Sequence, residues 1–231
     1  MIKAILFDLD GTLTLMDQEE FMKNYIGLLA PRFKQYISPD KFAKQLNRST
    51  EVMIKQPQEG KTNLQTFFAD FTKATGLTYH TLWPVFEAFY TTDFPALRLL
   101  VKLNPHGKEA VETALQNGYT VAIAANPVMP LIAIEERIRW AELSPQIFSV
   151  IPSIESFHHC KPHTGFYAEL AEHLGLQPSE CLMVGNHPVE DVAAQEIGMQ
   201  TFYVGEPVEG IQTTYQGDIS DLTRKIREGS L

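Results

Sequence analysis

The chain opens with a short apolar run, Ile2 to Phe7 with Lys3 its single polar residue, which stops at Asp8-Leu9-Asp10-Gly11-Thr12. A short run without polar alternation is the profile of a strand buried on both faces and leading into a loop. From Asp17 to about Phe94 the spacing changes. Phe21, Tyr25, Leu28 and Leu29, then Phe67, Phe68 and Phe71, follow the helical period, with Pro31, Pro39, Pro57 and Gly60 between them. This stretch predicts an all-helical insert of about four helices.

Past Asn104 short apolar runs alternate with helical patterns. A helix beginning at Asn104-Pro105 and ending at Gly118 leads into a strand over Tyr119–Ala124. Further strands are predicted over Phe148–Ile151, Cys181–Val184 and Gln200–Val204. Helices are predicted over Leu131–Glu142, Thr164–Leu174 and Val189–Ile197, with a last one capped by Asp218. This alternation means an α/β fold, a parallel sheet with helices on both faces. The expected division is a core of residues 1–15 and 96–231, with residues 16–95 as the insert.

Composition narrows the function classes. With 44% hydrophobic and 20% charged residues among 231, the chain can bury a sizeable core and is not a disordered one. Nineteen basic against 28 acidic side chains leave a net charge of −9, and no Lys/Arg run offsets it. No nucleic-acid or membrane partner is expected from that balance. Cys160 and Cys181 are too few for a disulfide framework and read as reduced thiols. The opening apolar run is too short for a signal peptide, and Asn126, Pro127 and Pro130 interrupt the longest uncharged stretch. The expectation is a soluble, cytoplasmic protein.

In open α/β sheets ligands bind beyond the carboxyl ends of the strands, so the polar residues there are the ones to weigh. They are Asp8 and Asp10, then Ala125-Asn126, then Lys161-Pro162, then Gly185 through Asp191. In extended chain, positions two apart point to the same side, which aims both Asp8 and Asp10 at one ligand. Two such carboxylates need a cation between them, or one takes up a proton. An ionised aspartate can attack phosphorus, and a protonated neighbour can supply the leaving group's proton. Gly11 permits a sharp turn whose amides face phosphate oxygens.

Asp8-Leu-Asp-Gly-Thr-Leu-Thr14, Val121 through Pro127, Lys161-Pro162 and Gly185 through Asp191 resemble, in order, the four motifs of the haloacid dehalogenase-like (HAD) superfamily. The Asp-x-Asp form resembles its phosphatase branch. The resemblance implies a three-layer Rossmann-like core, with the insert as a helical cap of the first type. It implies a Mg²⁺-dependent hydrolase of small phosphate monoesters, such as a phosphorylated metabolite. Asp8 then resembles the nucleophile and a metal ligand, and Asp10 the general acid/base whose backbone carbonyl also meets the metal. Lys161 resembles the lysine that offsets charge on Asp8 and the phosphoryl group. Asp191 resembles the distal metal-site acid, while Gly11, Thr12, Ala125 and Asn126 fall at substrate-binding positions.

Two departures stand out. Ala125 occupies the place of the usual phosphate-binding hydroxyl, and Asn186-His187 stand where an aspartate is usual. An Asn oxygen can still ligate Mg²⁺ but brings no charge, and His suits transition metals better. These departures motivate an alternative, a catalytically weak HAD-fold protein that binds a ligand or a protein. Elsewhere, His158, His159, Cys160 and His163 match no zinc spacing and read as ordinary loop residues. The aromatics from Phe67 to Tyr90 read as the packed interior of the insert, and Glu135-Glu136-Arg137 with Arg139 as a solvated helix face.

Overall fold

Strand β1 (Ala4–Phe7) is buried at every position, and a computed structural model describing residues 1–231 places it inside a five-stranded parallel sheet. The order is β4 (Thr120–Ile123), β1, β5 (Cys181–Gly185), β6 (Gln200–Val204), β7 (Tyr215–Gly217). The alternation of side chains along β1 divides the core. Ile5 and Phe7 join the larger hydrophobic cluster, and Ala4 and Leu6 join a smaller one on the other face. Helices α5 (Gly107–Gln116) and α8 (Ile219–Glu228) contribute Ala110, Ala114, Leu222 and Ile226 to the first face. Helix α7 (Thr164–His173) supplies Phe166, Tyr167 and Leu170 to the second. The result is the three-layer α/β core that the alternating pattern implied.

Register decides where the chemistry falls. Phe7 lies opposite Ile123 on one side and Val184 on the other, so three strands end level. The Asp8 amide donates to the Val184 carbonyl at 2.9 Å, and the Ala124 amide donates to the Phe7 carbonyl at 2.7 Å. The residues that follow these three strands therefore converge at one sheet edge.

Between β2 (Thr14–Leu15) and β3 (Lys102–Leu103), a two-stranded antiparallel pair, the chain forms α1 (Gln18–Leu29), α2 (Pro39–Lys55), α3 (Asn63–Thr75) and α4 (Tyr79–Thr92). Local signals set their ends. Asp17 caps α1 by accepting from the Glu20 amide, and Thr62 with Gln65 forms a capping box that starts α3. Aromatic rings fill the space between the helices, with Phe33 and Phe42 stacked at 4.2 Å between centroids. Each buried ring contributes about 1.5–3 kcal/mol relative to exposure. The insert is not insulated from the sheet domain: Phe94 stacks on Trp140 at 5.2 Å, within one continuous cluster.

Two sequence expectations need correction. Phe148–Ile151 is not a strand. It lies beside β4 with two hydrogen bonds, from the Ser149 amide to the Val121 carbonyl and from the Ile123 amide to the Val150 carbonyl, and Pro152 then removes the next donor. The predicted helix over Val189–Ile197 is a turn followed by a 3₁₀ segment over Val192–Ile197. There the Asp191 carboxylate turns back to accept from the His187 amide at 2.8 Å, which tightens the entry. Strand β7 has no counterpart in the sequence pattern, because its three edge residues, the exposed Gln216 among them, carry no apolar run. No helix is long and apolar enough to cross a membrane.

Candidate active site

Lys161 is the hub of the site. Its ammonium, 1% exposed, donates to Asp8 Oδ1 at 2.8 Å and to Asp191 Oδ1 at 2.6 Å, tying the ends of β1 and β5 together. Its backbone amide is held in turn by Asn126 Oδ1 at 3.2 Å. A buried cation with two carboxylate partners is satisfied, whereas a lone one would be costly. Burial by itself lowers the lysine's pKa, but the Asp191 and Asp8 charges outweigh it and raise the value.

Asp8 is 9% exposed. Burial pushes its pKa up to about 6, Asp191 adds to the rise, and the Lys161 charge and hydrogen bond oppose it. At neutral pH the carboxylate is thus ionised, and poorly hydrated. Thr12 Oγ1 lies 3.3 Å from Asp8 Oδ2 and 3.3 Å from Asn186 Oδ1, bridging the first and fourth motifs. Gly11 makes that approach possible. Its φ is +87°, and a Cβ there would lie 2.2 Å from the Asn186 amide nitrogen. Gly185 plays a similar part, since a Cβ there would lie 2.2 Å from Asp191 Oδ2.

A cavity of about 410 Å³ opens above these residues and is lined by Asp8, Asp10, Ala125, Asn126, Asn186 and Asp191, with Gln18 and Phe21 of α1 over it. Gly11, Thr12 and Lys161 stand behind the lining rather than in it. The imidazole of His187 is spent on its own turn, where Nδ1 accepts from the amides of Val189 at 3.3 Å and Glu190 at 3.0 Å.

One residue of the site escaped the sequence reading. Arg137, expected on a solvated face, is 6% exposed, and its guanidinium donates to Asp10 Oδ2. Burial lowers its pKa to about 10, so it remains charged at neutral pH. Asp10 Oδ1 and Arg137 Nε are buried without protein partners. A signal for Arg137 did exist in the sequence. On α6 (Leu131–Trp140) it falls in the stripe of Ala133, Ile134 and Ile138, where a helix of this pattern turns toward the core.

No group of three His, Cys, Asp or Glu side chains is arranged to hold a metal ion. Both oxygens of Asp191 are engaged by Lys161 and the His187 amide. The oxygens best placed for a hard cation are Asp8 Oδ2 and Asn186 Oδ1, which share Thr12 as neighbour. Mg²⁺ usually keeps several waters and takes one or two carboxylates plus substrate phosphate, so this donor set fits it, with one formal charge rather than two.

Comparison with known proteins places the chain in a family. A 24% identical phosphoglycolate phosphatase of Vibrio vulnificus (strain YJ016) aligns over 94% of this chain and 92% of its own length. The pyrophosphatase PpaX of Bacillus cereus (strain AH820) is 28% identical over 44% of this chain and 46% of that protein. Among solved structures, an HAD phosphatase from Thermococcus onnurineus superposes with a TM-score of 0.62 at 22% identity, covering 99% of both chains. The family model of the haloacid dehalogenase-like hydrolases matches residues 2–198, a span holding every residue of the site, and the chain belongs to that family.

Proposed function

We propose that this hydrolase is a phosphomonoesterase acting through Asp8. The observation that carries the proposal is the buried Asp8 carboxylate, held by Lys161 at 2.8 Å and facing a cavity that Asp10 also lines. The Asp8 carboxylate attacks phosphorus, the bond to the leaving oxygen breaks, and an aspartyl-phosphate forms. Asp10, paired through Oδ2 with Arg137 in the resting site, takes up a proton on its unpartnered Oδ1 as the phosphate dianion enters and gives it to the leaving oxygen. Asp10 then takes a proton from the water that attacks phosphorus, the Asp8–phosphorus bond breaks, and inorganic phosphate and the Asp8 carboxylate are released. Lys161 offsets charge on Asp8 throughout. Asn126 lines the phosphate side, and Gly11 and Thr12 hold the loop that shapes it. Mg²⁺, held by Asp8, Asn186 and the Asp10 backbone carbonyl with Asp191 close by, would neutralise phosphoryl charge when bound.

The substrate proposed is a small phosphorylated compound, in keeping with the names of the relatives. Residues 16–95 act as the cap and residues 1–15 with 96–231 as the core, and the buried thiols Cys160 and Cys181 suit a reducing, cytoplasmic setting. A metal-dependent phosphate-release assay over a panel of esters tests the reading. Wild type should turn over, Asp8→Asn should fall to background with an unchanged circular dichroism spectrum, and wild-type activity in Asp8→Asn would overturn it. A second reading, a slow or inactive HAD fold used for binding, is favoured by the Arg137 hold on Asp10 together with Ala125 and Asn186. No turnover of any ester at saturating Mg²⁺ would make it the better one.

A further inference from the structure

Beside the catalytic cavity lies a second one of about 370 Å³, a partly open cleft between the insert helices and the loop after β4. Thirteen of its eighteen lining residues are hydrophobic, and Phe67, Phe68, Trp83 and Phe86 form its inner wall. Met22, Val128 and Met129 line both cavities, so the two spaces share that wall. The chamber has one cationic side chain, Lys55 at its outer rim, and Glu51 pairs with it at 2.6 Å. Nothing in the chamber is thus free to neutralise a carboxylate or a second phosphate. Small-molecule sites are typically apolar clefts of about 300–1,000 Å³ with few polar groups, and this chamber has that character.

We infer that the chamber receives the leaving group, and that the preferred substrates are phosphate monoesters of apolar, ring-bearing alcohols. The inference rests on the phosphomonoesterase reading, because the phosphate must sit at Asp8 for the ester's body to pass Met22, Val128 and Met129. An aromatic ring is the occupant that fits best. Aromatic walls offer edge and face contacts to it, and an uncharged ring gives up no hydration on entry that the walls would have to replace.

The test uses the full chain and three esters whose leaving oxygens are alike, ethyl, 2-phenylethyl and 2-(1-naphthyl)ethyl phosphate, with phosphate release as readout. Wild-type kcat/KM should rise by at least about tenfold from ethyl to 2-phenylethyl, the lower end of what burying one ring supplies. Ile54→Trp and Thr50→Trp, which fill the chamber from α2, should each cut that preference by at least about fivefold. Independently of turnover, 2-(1-naphthyl)ethanol should bind wild type in calorimetry and bind Ile54→Trp at least fivefold more weakly. Turnover with no preference for the ring esters, and no alcohol binding, overturns the chamber proposal while leaving the phosphatase reading standing. No turnover of any ester defeats the phosphatase reading. The leaving-group role falls with it, and the alcohol then tests the chamber only as a site for an apolar ring, which binding weakened by Ile54→Trp upholds and absent binding overturns.

Discussion

Arg137 and Asp10 form an ion pair across the active-site cavity, the guanidinium reaching from α6 to one carboxylate oxygen at the end of β1. The pair leaves Asp10 Oδ1 as the oxygen without a partner, so Arg137 both anchors the proposed acid and selects the atom that handles the proton. It also brings a positive charge to a site where Asn186 has removed a negative one.

Arg137→Leu should destabilise the fold by about 2 kcal/mol in denaturant unfolding. Breaking a fully buried pair costs about 3–5 kcal/mol, and the Asp10 side chain is still 19% exposed. Adding Asp10→Asn to Arg137→Leu should recover part of the loss, because no charge is then left unpaired. Single and double variants that lose equal stability would show the pair contributes nothing of its own.

Restoring a carboxylate at the fourth motif, Asn186→Asp, should tighten Mg²⁺ binding by about tenfold or more, since it adds the missing charge beside Asp8 Oδ2. Calorimetric titration of Mg²⁺ into wild type and variant measures this directly. Equal affinities would remove position 186 from the metal site.

Asn63 clamps the insert to the sheet domain. It is 1% exposed, its amide side chain donates to the carbonyls of Pro127 (3.4 Å) and His159 (3.3 Å), and the backbone amides of Asn63 and Leu64 donate to Phe157 and Ile154, each at 2.7 Å. Asn63→Ala should weaken this contact by about 1–2 kcal/mol and speed hydrogen exchange at the Leu64 amide about tenfold. An unchanged exchange rate there would place the clamp elsewhere.

Alkaline pH should unfold the protein. Burial, then Glu190 and Glu169, pushes the Cys160 thiol up to about 12, and burial with Glu180 pushes Cys181 to about 11, against an ordinary 9.0. Burial likewise takes Tyr25 to about 12, opposed only by its hydrogen bond from Tyr90. Groups raised in the folded state give stability that is complete below their unfolded values, and it is lost as pH climbs through about 11–12. Denaturant midpoints should hold to about pH 9 and fall beyond it. Both thiols are buried with raised pKa values, so at pH 8 iodoacetamide should label neither cysteine until the chain is unfolded.

Much of the site could be read from the chain alone, for identifiable reasons. Asp8 and Asp10 follow an apolar run, and the period of two along an extended segment puts them on one side. Gly11 marks the turn, because only a residue without Cβ can sit against Asn186 there. Lys161 and Asp191 were found by motif order, although nothing in their own neighbourhoods shows that they meet. The failures are also local in origin. Phe148–Ile151 has strand composition, but a strand needs a partner along its length, and β4 offers it only two bonds.

By itself the sequence determined the alternation of strands and helices, the helical insert and the positions of the acids, because periodicity and turn chemistry act over a few residues. Tertiary structure decided the rest. Arg137 turned from surface charge to site residue because the buried stripe of α6 carries its guanidinium to Asp10, in the loop beyond β1. The aromatics of α3 and α4 became a chamber wall as well as a core for a similar reason. Hydrophobic burial fixes which residues leave water, but the space left between packed elements depends on how helices distant in sequence meet.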